Sequence, residues 1–220
     1  IAGHSLGEYS ALCCYGVLKF EDTLKILKKR GKSMQDAVSG DEGSMLAVLG
    51  SDLKVIENVL KKNNRQCYIA NDNSPQQVVL SGLKKNINLF SEDLDKLKIK
   101  NIKLNVSAPF HCKLMETATI NMREEILNLN LNEIKKPIVS NFTAKPTVSA
   151  SEIKNLLVSQ IEGRVRWLES VEFMINKGTK NFIEIGPGKV LSGLIRRINK
   201  NVNFKSINSV QDIKELNLGV

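Results

Sequence analysis

The chain has 220 residues, 42% of them hydrophobic and 25% charged, which is enough to bury one or two cores. No apolar run approaches the roughly 18 residues of a membrane span, and no basic-then-apolar leader opens the chain, so any targeting segment is expected upstream. A net charge of +9 favours an acidic partner or a phosphorylated ligand, but lysine far exceeds arginine and aromatics make up only 5%, which argues against nucleic-acid readout.

The elements alternate along the chain. Ile1-Ala2-Gly3 reads as the end of a β-strand whose start is expected in front of residue 1, followed by a sharp turn at Ser5 and an apolar helix containing Cys13 and Cys14. Those two cysteines, with Cys67 and Cys112, have neither disulfide-framework nor metal-ligand spacing, so four reduced thiols and no metal site are expected. Next comes a long surface helix ending near Asp36 and Ala37, with Leu24, Leu27, Gly31, Met34 and Val38 on its apolar face, and then the loop SGDEGS.

A tight block follows: strand MLAVLG, helix SDLKVIENVLKKN, strand CYIAND, turn NSPQ, strand QVVLSG, helix KNINLFSEDLDKL and strand IKNIKLNV. The order βαββαβ is that of a ferredoxin-like domain, here 44–107. The last third returns to helices (CKLMETATINMREEILNLNL, SASEIKNLLVSQI, RWLESVEFMINKG) among short strands (KPIVSNF, NFIEIGPG, NFKSIN). The expected architecture is α/β, with a large domain of residues 1–43 and 108–220 into which 44–107 is inserted.

Gly3-His4-Ser5-Leu6-Gly7 fits G-x-S-x-G, the nucleophile elbow, in which a strand-to-helix turn exposes a serine. A purely structural reading competes: Ser5 and Glu8 also form S-x-x-E, a capping box that would start a helix without chemistry. The strand and helix that an elbow needs are both readable, which favours a nucleophile. Its base must be a histidine, and there are two. His4 should project away from Ser5, leaving His111, in the loop after NVSAPF, as the base. No acid stands out as a third member, so a dyad oriented by a backbone carbonyl remains open.

Arg30 lies three residues after Leu27 and four before Met34, near the apolar face of its helix rather than among Lys25, Lys28, Lys29 and Lys32. A guanidinium there requires an anion, either an acid of the protein or a carboxylate on the substrate, for which arginine is well shaped.

The segments GHSLGEYSAL, KRGKSMQDAV, NDNSPQQVVLSG, SAPFHCKLM, RWLESVEFM and EIGPGKVLSGL occur in the order found in malonyl-CoA:acyl carrier protein transacylases, the malonyl loaders of type II fatty acid synthesis, which the whole chain resembles. The resemblance implies an α/β-hydrolase-like large domain with a ferredoxin-like insertion, Ser5 as nucleophile, His111 as base and Arg30 as carboxylate-binding residue. It also implies that the main-chain carbonyl of Gln160, seven residues before Trp167, orients His111. The oxyanion hole of that family uses the N–H after the serine, here Leu6, and one from a Gly-Gln-Gly loop that this sequence lacks. Asn71 and Asn73 are expected to border the acyl pocket, a turn-forming role being the alternative. Phe110 takes the place where related acyltransferases separate unbranched from α-methyl donors, and Gly186-Pro187-Gly188 is expected as a tight turn near the site. The implied partners are malonyl-CoA and an acidic acyl carrier protein contacted through Lys189, Arg196 and Arg197. No bound cofactor, nucleic acid or membrane is implied. The enzyme is expected to be a monomer, cytoplasmic if bacterial and plastid-borne if from an AT-rich protist. Alternatives are a polyketide synthase acyltransferase domain, a serine hydrolase or thioesterase, or an inactive fragment.

Overall fold

A computed structural model describes residues 1–39, 42–106 and 108–216. Gly40 and Asp41 of the SGDEGS loop, and Ser107 at the end of the expected insertion, lie outside the described residues. Packing divides the chain into Ile1–Ser170 and Val171–Val220.

In chain order, the first unit contains α1 (Leu6–Cys14), α2 (Phe20–Gln35), β1 (Gly43–Leu49), α3 (Leu53–Lys62), β2 (Cys67–Ser74), β3 (Gln77–Leu83), α4 (Lys84–Lys96) and β4 (Asn101–Lys103). After a single 3-10 turn at Lys113–Met115 come α5 (Glu116–Leu127), β5 (Ile138–Val139), β6 (Pro146–Thr147), α6 (Ala150–Glu162) and β7 (Val165–Arg166). Helix α7 (Trp167–Asn176) carries the chain into the second unit.

The five-stranded sheet runs β4-β1-β3-β2-β7. The β1–β3, β1–β4 and β2–β3 pairs are antiparallel and β2–β7 is parallel. Strand β1 is apolar almost throughout because both of its faces are covered. Leu46 and Val48 stand opposite Leu80 and Val78, and with Ile56, Ile87, Phe90 and Leu94 they form a core beneath α3 and α4. Met45, Ala47, Val79 and Ala70 face the other way and meet Leu104 and Phe110. The expected insertion is therefore not self-contained: Val165 and Arg166 pair with Asn71 and Asp72 along the free edge of β2. Asn71 and Asn73 are strand residues, which corrects the turn-forming alternative.

Helices α1, α2, α5 and α6 enclose another core, in which Tyr9, Leu12, Ile26 and Met34 pack with Met115, Met122, Ile126, Leu157 and Ile161. Helix α2 is rotated from the expected face. It buries Thr23, Ile26, Arg30 and Met34, while Leu24 is 53% exposed and Gly31 is on the outside. The buried stripe follows the 3.6-residue period through two polar positions, so apolar residues alone pointed about a sixth of a turn away. Ile1 begins in parallel register beside β5, its N-terminus donating to Pro137 O and its carbonyl accepting from Val139 N, both at 2.9 Å.

In the second unit, β8 (Asn181–Ile185) and β9 (Asn203–Ile207) pair in parallel, connected through α8 (Val190–Ile198). The Glu184 carboxylate accepts from Leu191 N and Ser192 N at the start of α8. The turn at Gly186 and Gly188, with φ of 141° and 92°, joins β8 to α8. A short capped helix, α9 (Val210–Lys214), follows.

Candidate active site

Three residues separate the first backbone pairing, at Ile1, from Ser5 at the start of α1, so the chain must turn sharply between them. Two local features make that possible. Ser5 has φ 52°, in the left-handed region that costs a non-glycine residue free energy and marks strained functional turns. Gly3 passes so close to the first turn of α1 that a Cβ would run into the Gly7 carbonyl. Gly7 itself has open space around its Cα, so its place in the motif carries no steric demand here.

The capping-box reading fails at both ends. Ser5 makes no side-chain cap hydrogen bond, and its own N–H donates to Asn141 Oδ1 at 2.6 Å rather than to Glu8. Its hydroxyl lies 2.7 Å from His111 Nε2. His111 Nδ1 lies 2.8 Å from the main-chain carbonyl of Gln160. A carbonyl only accepts, so Nδ1 carries the proton and Nε2 presents its lone pair to the serine O–H. His111 also has a positive φ, 57°, and is buried. Burial, then the neighbouring Arg30 charge, lower its pKa to about 3, with the Gln160 carbonyl opposing. The ring is therefore neutral at physiological pH and able to accept a proton.

Arg30 reaches the same hydroxyl. Its Nη2 donates to Ser5 Oγ at 3.1 Å and to Gln160 Oε1 at 2.9 Å, and its guanidinium lies 5.5 Å from the Tyr9 ring centre. It is 6% exposed, its Nε has no partner, and it makes no ion pair among the described residues. The internal salt bridge weighed for Arg30 is thus not found.

Three contributions were not legible in the sequence. The Gln160 side chain donates through Nε2 to Ser5 O at 3.0 Å and to Glu8 Oε2 at 2.7 Å, so this residue serves the site with its amide as well as its backbone. Glu8, on the inner face of α1, also accepts from Asn141 N, and burial raises its pKa to about 7 against the pull of Gln160, Asn141 and Arg30. Asn141, fully buried, donates to Gly3 O and accepts from Arg166 N and Ser5 N, which ties the elbow to β7. Only strand-ending position, in KPIVSNF, hinted at Asn141.

The remaining expected residues are more dispersed. Asn73 is committed to His4, whose Nε2 lies 2.8 Å from its Oδ1, and the His4 ring packs against Trp167 with centroids 5.5 Å apart. Asn71 Oδ1 is buried without a partner. Phe110 is half-buried, borders both the helical core and the sheet, and lines a groove of about 520 Å³ with Gln35, Ser44 and Lys103. Leu6 N–H, at the first position of α1, takes part in no hydrogen bond among the described residues, whereas Gly7 N and Glu8 N are held by His4 O and Ser5 O. Lys189, Arg196 and Arg197 are exposed on the second unit. Among the described residues no group of three or more His, Cys, Asp or Glu could hold a metal, and no helix is long and apolar enough to cross a membrane.

The acyl transferase domain family matches residues 1–217. The malonyl CoA-acyl carrier protein transacylase of Bacillus subtilis is 38% identical over 217 residues, which are 97% of this chain and 68% of that protein. Among solved structures, the acyl-carrier-protein-S-malonyltransferase of Bartonella henselae superposes with a TM-score of 0.93 at 40% identity, covering 97% of this chain and 69% of that one. A malonyl-transacylase solved in complex with its type II PKS acyl-carrier protein gives 0.92 at 36% identity, covering 97% and 70%.

Proposed function

The chain belongs to the acyl transferase domain family, and from that premise we propose that it moves a malonyl group from malonyl-CoA to the phosphopantetheine thiol of an acyl carrier protein, through an ester on Ser5. The observation that carries this reading is the placement of a buried guanidinium, Arg30, with no ion pair among the described residues, 3.1 Å from a serine that is itself 2.7 Å from a neutral histidine. The second pair is machinery for acyl transfer, and the first selects an acyl group that ends in a carboxylate.

The reaction has two matching halves. His111 Nε2 takes the Ser5 proton as Oγ attacks the thioester carbonyl, and the Gln160 carbonyl stabilises the imidazolium through Nδ1–H. Leu6 N–H faces the developing oxyanion as one donor; losing such a donor costs about a hundredfold to a thousandfold in related chemistry. The C–S bond breaks, His111 returns the proton to the coenzyme A sulfur, and the malonyl ester remains. The carrier thiol then attacks that ester with the same proton transfers, restoring Ser5. Arg30 holds the distal carboxylate in both halves, while Phe110 limits bulk beside His111 and Asn71 borders the acyl chain.

We read the first unit as an α/β-hydrolase-like framework with a ferredoxin-like insertion over 44–107. The β4-β1-β3-β2 order of its strands with two helices on one side supports this, and β7 joins that sheet from outside the insertion. The chemistry needs no bound cofactor, and one chain supplies every named group. An acidic carrier fits the +9 charge. The test is product analysis with holo carrier protein present or absent: malonyl should accumulate on the carrier thiol and free malonate should stay at background. Malonate release independent of the acceptor would make the protein a hydrolase.

A further inference from the structure

The Ser5 hydroxyl has one proton and two lone pairs. The proton is directed to His111, and one lone pair is taken by Arg30 Nη2. The oxygen that must attack is therefore hydrogen-bonded to a cation before any donor arrives. Among the described residues that cation's hydrogen-bond acceptors are neutral, Gln160 Oε1 and the serine itself, its other close neighbour is the Tyr9 ring, and its Nε is buried without a partner. The nearest buried acid, Glu8, is separated from it by the Gln160 amide, which donates to Glu8 with Nε2 and accepts from Arg30 with Oε1. We propose that Arg30 restrains Ser5 in the unliganded site and that the distal carboxylate of the donor releases it, so that the carboxylate selects the donor at the acylation step as well as at binding.

Two physical effects act together. A charge-assisted hydrogen bond into a lone pair of Oγ withdraws electron density from the nucleophile. An unneutralised guanidinium beside His111 also opposes the imidazolium that forms as the proton leaves Ser5, an interaction strengthened by burial. A carboxylate accepting the guanidinium fork removes both. Arg30 lets go of Oγ and its charge is balanced. The Gln160 amide, held on its other side by Glu8 and Ser5 O, stays behind as the resting partner of Arg30 between turnovers. The covalent step is unchanged: Oγ–C forms, C–S breaks, and the proton passes from Ser5 through His111 to the leaving sulfur. An acetyl donor has no group to release the restraint, so it reacts slowly even when bound.

This inference rests on the acyl-transfer reading above, and the experiment separates the two. Acetyl-CoA together with free formate presents nearly the atoms of a malonyl group in two pieces. Acetylation of Ser5, followed by intact mass under single-turnover conditions with saturating acetyl-CoA, should accelerate about tenfold or more as formate is added, saturably, while formamide and matched chloride do nothing. In Arg30→Ala and Arg30→Gln, acetylation should start faster than in the unaltered protein and ignore formate. The formate arm needs no variant, so a substitution that fails to fold does not blunt it. If malonyl-CoA loads Ser5 but formate leaves acetylation unchanged or slows it, the restraint is refuted and the function stands. If neither donor loads Ser5, the reading beneath it falls.

Discussion

The core beneath α3 and α4 and the network around Ser5 are both buried, but they are built in opposite ways. Leu46, Val48, Leu80, Ile87, Phe90 and Leu94 meet across a regular sheet and its helices, and each is wholly excluded from water. Around Ser5 the buried groups are Glu8, Arg30, His111, Asn141 and Gln160, and two of the backbone positions, Ser5 and His111, have positive φ. The first region gains from burial; the second works against it, with a histidine kept neutral, a carboxyl whose pKa is raised to about 7 and a guanidinium that makes no ion pair among the described residues. Stability is thus stored in one region and held available for chemistry in the other.

The comparison breaks if substitutions on the polar side fail to separate activity from folding. His111→Ala should lower the rate of Ser5 malonylation by about ten-thousandfold, near the upper range for loss of a general base, while the melting temperature stays within a few degrees. Collapse of the fold would make His111 a structural residue. Phe90→Ala is the mirror case. It should cost about 3–5 kcal/mol in denaturant unfolding, with the loading rate per folded molecule unchanged.

Glu8 sharpens the contrast through pH. Its pKa is raised from 4.5 to about 7, so between those values the unfolded carboxyl gives up a proton that the folded one keeps. That contribution is present at low pH and is lost as pH rises through the window. His111 has the opposite sign: its pKa is depressed to about 3, so stability falls as pH drops below 6.5. Comparing Glu8→Gln with the unaltered protein cancels the histidine. The variant's relative stability should be lowest near pH 4 and rise by about 3 kcal/mol by pH 8 in urea titrations, and a flat difference would remove the buried carboxyl from the account.

The smallest effect is at the surface. Reversing the charge of Lys189, Arg196 and Arg197 together should slow transfer to the carrier about tenfold at low salt and spare loading from malonyl-CoA. Equal transfer rates across ionic strengths and variants would leave the basic surface without a part in recognition.

What the sequence revealed follows from how local each signal is. The elbow around Ser5 and the βαββαβ order come from a short motif and strong periodicities, and the pairing of Ser5 with His111 from a choice between only two histidines. The Gln160 carbonyl was reached only through family resemblance, since nothing near Gln160 distinguishes its backbone. Glu8 was legible as a cap, because it lies three positions after Ser5, yet its partners are Asn141 and Gln160, more than 130 positions away. Asn141 and β7 were hidden for the same reason: one residue with four hydrogen bonds and a two-residue strand leave no period to read. Leu24 misled because an apolar residue can remain exposed, while Arg30 occupied the buried position.

The central claim is that Ser5 carries the malonyl group. Intact mass after brief incubation with malonyl-CoA should show a single malonyl adduct, mapped by peptide fragmentation to Ser5 and missing in Ser5→Ala. An adduct that persists in Ser5→Ala, or maps to another residue, would contradict the account.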